Sequence, residues 1–146
     1  MKSWDQHMID NALLWATRSK DPATKVGCII TSHEKLILST GYNGPPRHVR
    51  DLPERFERPT KYLFCSHAEE NAVAQAARVG ASLSGGTAYV THYPCSGCAR
   101  MLIQAGIVRV VVGGGETNMD ASHFDAAAEM FREAGVRVEK HLPRPE

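Results

Sequence analysis

The sequence predicts an α/β domain in which helices pack on the faces of a β-sheet. Two observations carry that expectation. Near the N-terminus, two β-rich runs at residues 26–31 and 36–42 are separated only by Ser32-His33-Glu34-Lys35, a polar turn of hairpin size that makes them an antiparallel pair. Beyond Gly85 the pattern becomes an alternation: strand-like at 87–91, helix-like at 96–105, strand-like at 108–112, helix-like at 121–134, strand-like at 136–141. Strands alternating with helices pair in parallel and carry the helices on their faces. At 146 residues the chain fits one domain over 1–146, long enough to bury a core.

Taken in order, Trp4, Met8, Ala12, Leu13 and Trp15 recur at helical spacing, so residues 4–19 read as an amphipathic helix stopped by Ser19-Lys20-Asp21-Pro22. Cys28 lies inside an apolar strand and reads as a buried thiol. Gly41-Tyr42-Asn43-Gly44 ends the second strand in a turn, because Asn-Gly tolerates left-handed backbone angles. Residues 45–66 are irregular, with four prolines and seven charges between Arg47 and Arg58. A loop that long is functional or disordered. It reads either as a lid or subunit contact, or as a surface insertion without consequence; Cys65 within it reads as a loop thiol rather than a spare ligand. His67 opens an alanine-rich helix that ends near Gly80, and Cys95 and Cys98 open another through Met101, Leu102, Ile103 and Ile107. Gly113-Gly114-Gly115 follows a strand but lacks the Lys-Ser or Lys-Thr ending of a phosphate loop, so it reads as a flexible turn.

Composition excludes several classes. Seventeen Lys and Arg against sixteen Asp and Glu leave a net charge of +1, which offers no broad electrostatic footprint for nucleic acid. No apolar run reaches the length of a membrane span, and the N-terminus has no signal-peptide pattern, so a cytoplasmic location is expected. Four cysteines do not suggest a disulfide scaffold.

The chemistry is concentrated in His67-Ala68-Glu69-Glu70-Asn71 and Pro94-Cys95-Ser96-Gly97-Cys98. Together they form the H-x-E then P-C-x-x-C pattern of zinc deaminases. One imidazole nitrogen and two thiolates give zinc three protein ligands and leave the fourth tetrahedral position for water, as catalytic sites do. His67, Cys95 and Cys98 are the candidate ligands; the positive start of the helix that the cysteines open favours thiolates, and two helix starts would grip one metal. With two thiolates and a neutral imidazole the Zn²⁺ site is formally uncharged, so it acidifies water less than an all-histidine site and needs a base nearby. Glu69 is that base. A Cys-x-x-Cys alone reads as a structural zinc knuckle or a redox pair, and a lone His-x-Glu arises by chance; both halves at helix starts favour catalysis. Glu70 reads as a solvated helix residue.

The chain resembles the deoxycytidylate (dCMP) deaminase family of the cytidine deaminase superfamily. The resemblance rests on Arg18-Ser19-Lys20-Asp21-Pro22, Lys25-Val26-Gly27, Gly41-Tyr42-Asn43-Gly44, His67 to Ala72, Pro94 to Ala99 and Ile103-Gln104-Ala105-Gly106-Ile107, in order. It implies a three-layer fold with a five-stranded mixed sheet flanked by helices, and hydrolysis of dCMP to dUMP and ammonia. It further implies that His67, Cys95 and Cys98 bind zinc and that Glu69 shuttles protons from water to the ring and to departing ammonia. Asn43 would contact the sugar, the Ala68 backbone would hold the pyrimidine edge, and Tyr93 would wall the pocket. For the phosphate, Lys20 and Lys25 stand nearest in family-like segments, with Arg47, Arg50 and Lys61 as competitors.

The chain departs from its relatives after Gly-Tyr-Asn-Gly. Many continue with a residue, Pro, a residue and Gly, a turn associated with dCTP and dTTP control. Here the sequence is Pro45-Pro46-Arg47-His48, and loss of the glycine argues against nucleotide regulation. The resemblance also implies a homo-oligomer, a dimer or hexamer. Two rival readings stand beside it: a zinc deaminase for another base, nucleoside or modified deoxycytidylate, and a zinc-stabilised binding module without turnover.

Overall fold

The computed structural model describes residues 1–141. Its elements are α1 (Trp4–Ala16), β1 (Gly27–Thr31), β2 (Ile37–Tyr42), a 3-10 turn (Pro53–Phe56), the single turn α2 (Lys61–Phe64), α3 (Ala68–Val79), β3 (Thr87–His92), α4 (Ser96–Gln104), β4 (Arg109–Gly115), α5 (Ala121–Glu133) and β5 (Arg137–Lys140). The sheet order is β2-β1-β3-β4-β5. β1 runs antiparallel to both neighbours, and β3, β4 and β5 run parallel, so the mixed five-stranded sheet is present.

Alternation along the central strands sorts side chains into two cores. Cys28, Ile30, Ala88, Val90, Val110 and Val112 face α3, α4 and α5, where Ala72, Leu102 and Phe131 meet them. Ile29, Tyr89 and Val111 face α1 and pack on Met8, Ile9 and Ala12. Helices therefore cover both faces, which makes three layers and explains why Val110-Val111-Val112 is apolar without a break.

Two expectations need correction. The buried stripe of α1 is Met8, Ile9, Ala12 and Ala16, whereas Trp4 and Leu13 are 59% and 51% exposed. Ala12 marks the closest approach, where a Cβ on Gly27 would overlap its carbonyl, and this seating turns Met8 and Ile9 onto the sheet while Trp4 and Leu13 point outward. Gly113-Gly114-Gly115 is not a turn but the end of β4, paired in parallel as far as His92 and Gly115. Residues 45–66 are irregular apart from the 3-10 turn and α2, but they are tied down. They leave and return at one point, where the Gly44 and Ser66 backbones exchange hydrogen bonds of 3.0 and 2.9 Å, and they pack through buried Phe56 and through Arg55 stacked 4.3 Å over the Phe64 ring.

Candidate active site

The first turn of α3 is fixed to β2 by contacts that tie two separated motifs together. Gly41 has no Cβ to collide with the Ala68 carbonyl, so the helix start lies flush on the strand. The Asn71 amide donates to the Tyr42 carbonyl at 2.7 Å, and the Ser39 hydroxyl donates to the Ala72 carbonyl at 2.6 Å. Glu70, expected to be merely solvated, accepts the His67 backbone N–H at 3.0 Å and so closes the helix start. His67 is the N-cap of α3 and Cys95 the N-cap of α4, so two positive helix ends converge. Gly80, at φ 76°, ends α3 in the left-handed conformation that favours glycine.

At that convergence His67 Nδ1 lies 3.4 Å from Cys95 Sγ and 3.3 Å from Cys98 Sγ. The three potential ligand atoms all lie within 4.8 Å of one another. The Cys98 thiol, donating to Cys95, pulls the Cys95 pKa down to about 3, with His67 adding to the effect; the same Cys95 sulfur raises His67 to about 9. Holding its proton on Cys95 pushes Cys98 up. One imidazole nitrogen and two sulfurs this close offer N and S donors that suit a borderline-soft cation such as zinc, which would take the place of the protons they share. Beside it Glu69 is only 4% exposed, and burial pushes its carboxyl up to about 7. A carboxyl tuned there both takes and gives protons near neutrality.

The cluster opens into a cavity that Asn43, Ala68, Glu69 and Tyr93 also line. Asn43 serves the turn as well: its Oδ1 accepts the Val26 N–H at 2.8 Å and its Nδ2 donates to the Thr24 carbonyl at 2.9 Å. Tyr93 meets Phe124 edge to face at 6.1 Å. Lys20 and Lys25 do not reach the cavity. Lys20 is exposed and pairs with Asp51 at 2.6 Å, and Lys25 bonds the Ser19 carbonyl. The cations that line the wall are Arg58 and Lys61, both from the 45–66 excursion. Lys61 pairs at 3.2 Å with buried Asp21, which also accepts the Ala23 and Thr24 N–H groups. Arg58 makes no ion pair or hydrogen bond among the described residues. Arg47 instead bonds Gln75 on a different surface. Cys65 lines the cavity outside the ligand cluster, with its Sγ 3.4 Å from the Arg55 carbonyl. Sequence reasoning also missed His92, Thr117, Met119 and Phe124, because no motif marks them.

A family model described as the cytidine and deoxycytidylate deaminase zinc-binding region matches residues 2–114, through both halves of the ligand cluster. The chain belongs to the cytidine and deoxycytidylate deaminase family. It is 37% identical over 147 residues to a deoxycytidylate deaminase of Mus musculus, covering 97% of this chain and 81% of that protein. It is 38% identical over 143 residues to an uncharacterised deaminase of Aliivibrio fischeri, covering 94% and 93%. A crystal structure of dCMP deaminase from the cyanophage S-TIM5, in complex with dCMP and dUMP, matches 97% of this chain and 99% of its own with a TM-score of 0.79 at 29% identity. The family's mixed sheet and the His/Cys/Cys cluster are thus both present here.

Proposed function

We propose that the protein is a zinc-dependent dCMP deaminase, converting dCMP and water to dUMP and ammonia. The observation that carries this reading is the convergence of His67, Cys95 and Cys98 beside buried Glu69, in a cavity whose wall also bears uncommitted Arg58. The cyanophage relative crystallised with dCMP and dUMP supports the choice of substrate.

His67, Cys95 and Cys98 would hold the zinc. Bound there, the ion would supply Lewis acidity to the hydrolytic water. Glu69 takes a proton from the attacking water and delivers it to the ring nitrogen beside the amino-bearing carbon, then moves a proton to the amino group as ammonia departs. Burial suits Glu69 to both steps, because a carboxyl near 7 is neither locked as an anion nor held permanently neutral. The Ala68 backbone at the helix start orients the pyrimidine edge, Tyr93 backed by Phe124 walls the ring, and Asn43 contacts the sugar while staying tied to Val26 and Thr24. For the phosphate, Arg58 with Lys61 replaces the Lys20 and Lys25 expected from sequence. Lys20 and Lys25 spend their ammonium groups elsewhere, whereas Arg58 is free to form charge-assisted bonds.

Effector control fits the same reading despite the missing glycine. His48, at the place of that glycine, itself takes a left-handed φ of 71°. Next to it a second cavity of about 330 Å³ offers Arg47 and Arg78 for phosphates and Trp15 and Tyr42 for a base, and supports binding of dCTP or dTTP there. Exposed Leu36 and Ile37 at the sheet edge support self-association, which sedimentation measures. Cys28 and Cys65, in no disulfide and outside the ligand cluster, suit a reducing cytoplasm.

The test is ammonia release by the zinc-loaded protein from dCMP, deoxycytidine, CMP and dCTP in parallel, with and without dCTP or dTTP as effector. Turnover of dCMP well above deoxycytidine is expected. Equal turnover of dCMP and deoxycytidine would overturn the phosphate assignment, and no turnover of any would overturn the substrate.

A further inference from the structure

The triple glycine and the histidine before the Tyr93-Pro94-Cys95 segment acquire a role together. The Thr91 hydroxyl oxygen accepts the Gly27 backbone N–H at 3.1 Å and lies 2.7 Å from His92 Nδ1. Thr91 is 1% exposed, and its side chain has no other hydrogen bond among the described residues. Its single hydroxyl proton must therefore go to His92 Nδ1, since the alternative would leave a buried donor unpaired. That makes Nδ1 an acceptor and places the ring proton on Nε2. Burial lowers the His92 pKa, which agrees with a neutral ring. The ring lies on Gly115, where any Cβ would collide with it, and a Cβ at Gly113 would lie 3.0 Å from the Thr91 carbonyl. Glycines at the end of β4 thus leave room for this relay.

His92 Nε2 has no hydrogen-bond partner among the described residues, yet among those residues no buried side-chain nitrogen or oxygen lacks one. Nε2 is therefore accessible, and the surface His92 lines is the cavity above the ligand cluster. We propose that His92 is a substrate-contacting specificity residue, a neutral donor that the Gly27–Thr91 relay fixes as the Nε2–H tautomer for an acceptor on the nucleoside part of the bound pyrimidine nucleotide. The nucleoside is chosen because Arg58 and Lys61, the cations of this cavity, belong to the 45–66 excursion, whereas His92 belongs to the strand that leads into Cys95. This inference rests on the proposed reading of the cavity as a pyrimidine nucleotide site.

The test is nitrogen-15 NMR of the histidine rings in the zinc-loaded full chain, free and saturated with deoxyuridine, dUMP or inorganic phosphate. The free protein is expected to show His92 neutral, with Nε2 protonated, and its signals should move with deoxyuridine and with dUMP but not with phosphate alone. A Nδ1–H tautomer, or His92 signals unmoved by saturating dUMP, would overturn the inference. In kinetics, His92→Leu and Thr91→Val should each raise KM about fivefold to tenfold, the size of one hydrogen bond, with kcat little changed. His92→Gln, whose amide reaches about as far as Nε2, should restore KM. A lost kcat with unchanged KM would contradict the role. Absence of dCMP turnover alongside a His92 response to deoxyuridine would sink the proposed reaction and leave the His92 assignment standing.

Discussion

Gly41→Ala is the substitution that most sharply probes how the fold builds the site. A Cβ at Gly41 would overlap the Ala68 carbonyl and lie 2.7 Å from the Ala72 nitrogen. Ordinary contact needs about 3.5 Å, so relief at Ala72 alone requires α3 to withdraw by about 0.8 Å. His67 and Glu69 travel with α3, whereas Cys95 and Cys98 stay with α4, so the 3.3 and 3.4 Å spacings of the cluster must open. Overpacking of this kind costs about 1–3 kcal/mol of stability. Misplacing reacting groups by that much costs about a hundredfold in rate. Thermal unfolding, chelator competition for zinc and kcat/KM on dCMP read the three consequences. Gly114→Ala is the control, because nothing lies within 4 Å of a Cβ there. A Gly41→Ala protein with wild-type melting, zinc affinity and kcat/KM would refute the claim that flush seating of α3 sets the site.

Other perturbations separate the parts. Arg58→Ala should raise KM for dCMP about tenfold while leaving deoxycytidine unaffected, the loss expected for a charge-assisted bond; Lys20→Ala and Lys25→Ala should leave both substrates near wild type. Stripping the metal with a chelator should abolish turnover and preserve the far-UV circular dichroism, because the sheet core of Ile29, Tyr89 and Val110 does not involve the cluster; unfolding on chelation would instead favour a zinc-stabilised module. Acid sensitivity should trace partly to Asp5. Arg109 donates to both its oxygens, at 3.0 and 2.6 Å, and holds its carboxyl below the ordinary 3.8. A depressed pKa contributes stability above 3.8 that is lost as pH falls through the folded value, so the melting temperature of Asp5→Asn should fall less steeply than wild type below that pH.

The ligand cluster was legible because its chemistry is written in short motifs at helix starts, and the strands because residues 26–31 and 87–91 carry β-rich, apolar runs bounded by turn signals. What stayed hidden depends on distant contacts. Trp4 reads as core in the sequence, but the close approach of Ala12 to Gly27 sets how α1 is rotated on the sheet, and Met8 and Ile9 face it instead. Gly113-Gly114-Gly115 looked like a turn, since sequence cannot show that Thr91 and His92 need the room. Lys20 and Lys25 lie in family-like segments, but the path of the proline-rich 45–66 excursion, which has no period to follow, decides which cations reach the cavity. Glu70 was read as solvated although a carboxylate three residues after the N-cap is a capping signature, and it could have been recognised.

In the proposed mechanism Glu69 carries the protons of a hydrolysis at the His67, Cys95 and Cys98 site. Glu69→Gln keeps the size of the side chain and removes its acid–base chemistry. The measurement is ammonia release from dCMP by this variant, alongside its zinc content and its melting curve. A folded, zinc-loaded protein is expected whose kcat falls by about a thousandfold, within the range of a lost general acid–base group. A folded, zinc-loaded Glu69→Gln protein that releases ammonia at the wild-type rate would contradict that mechanism.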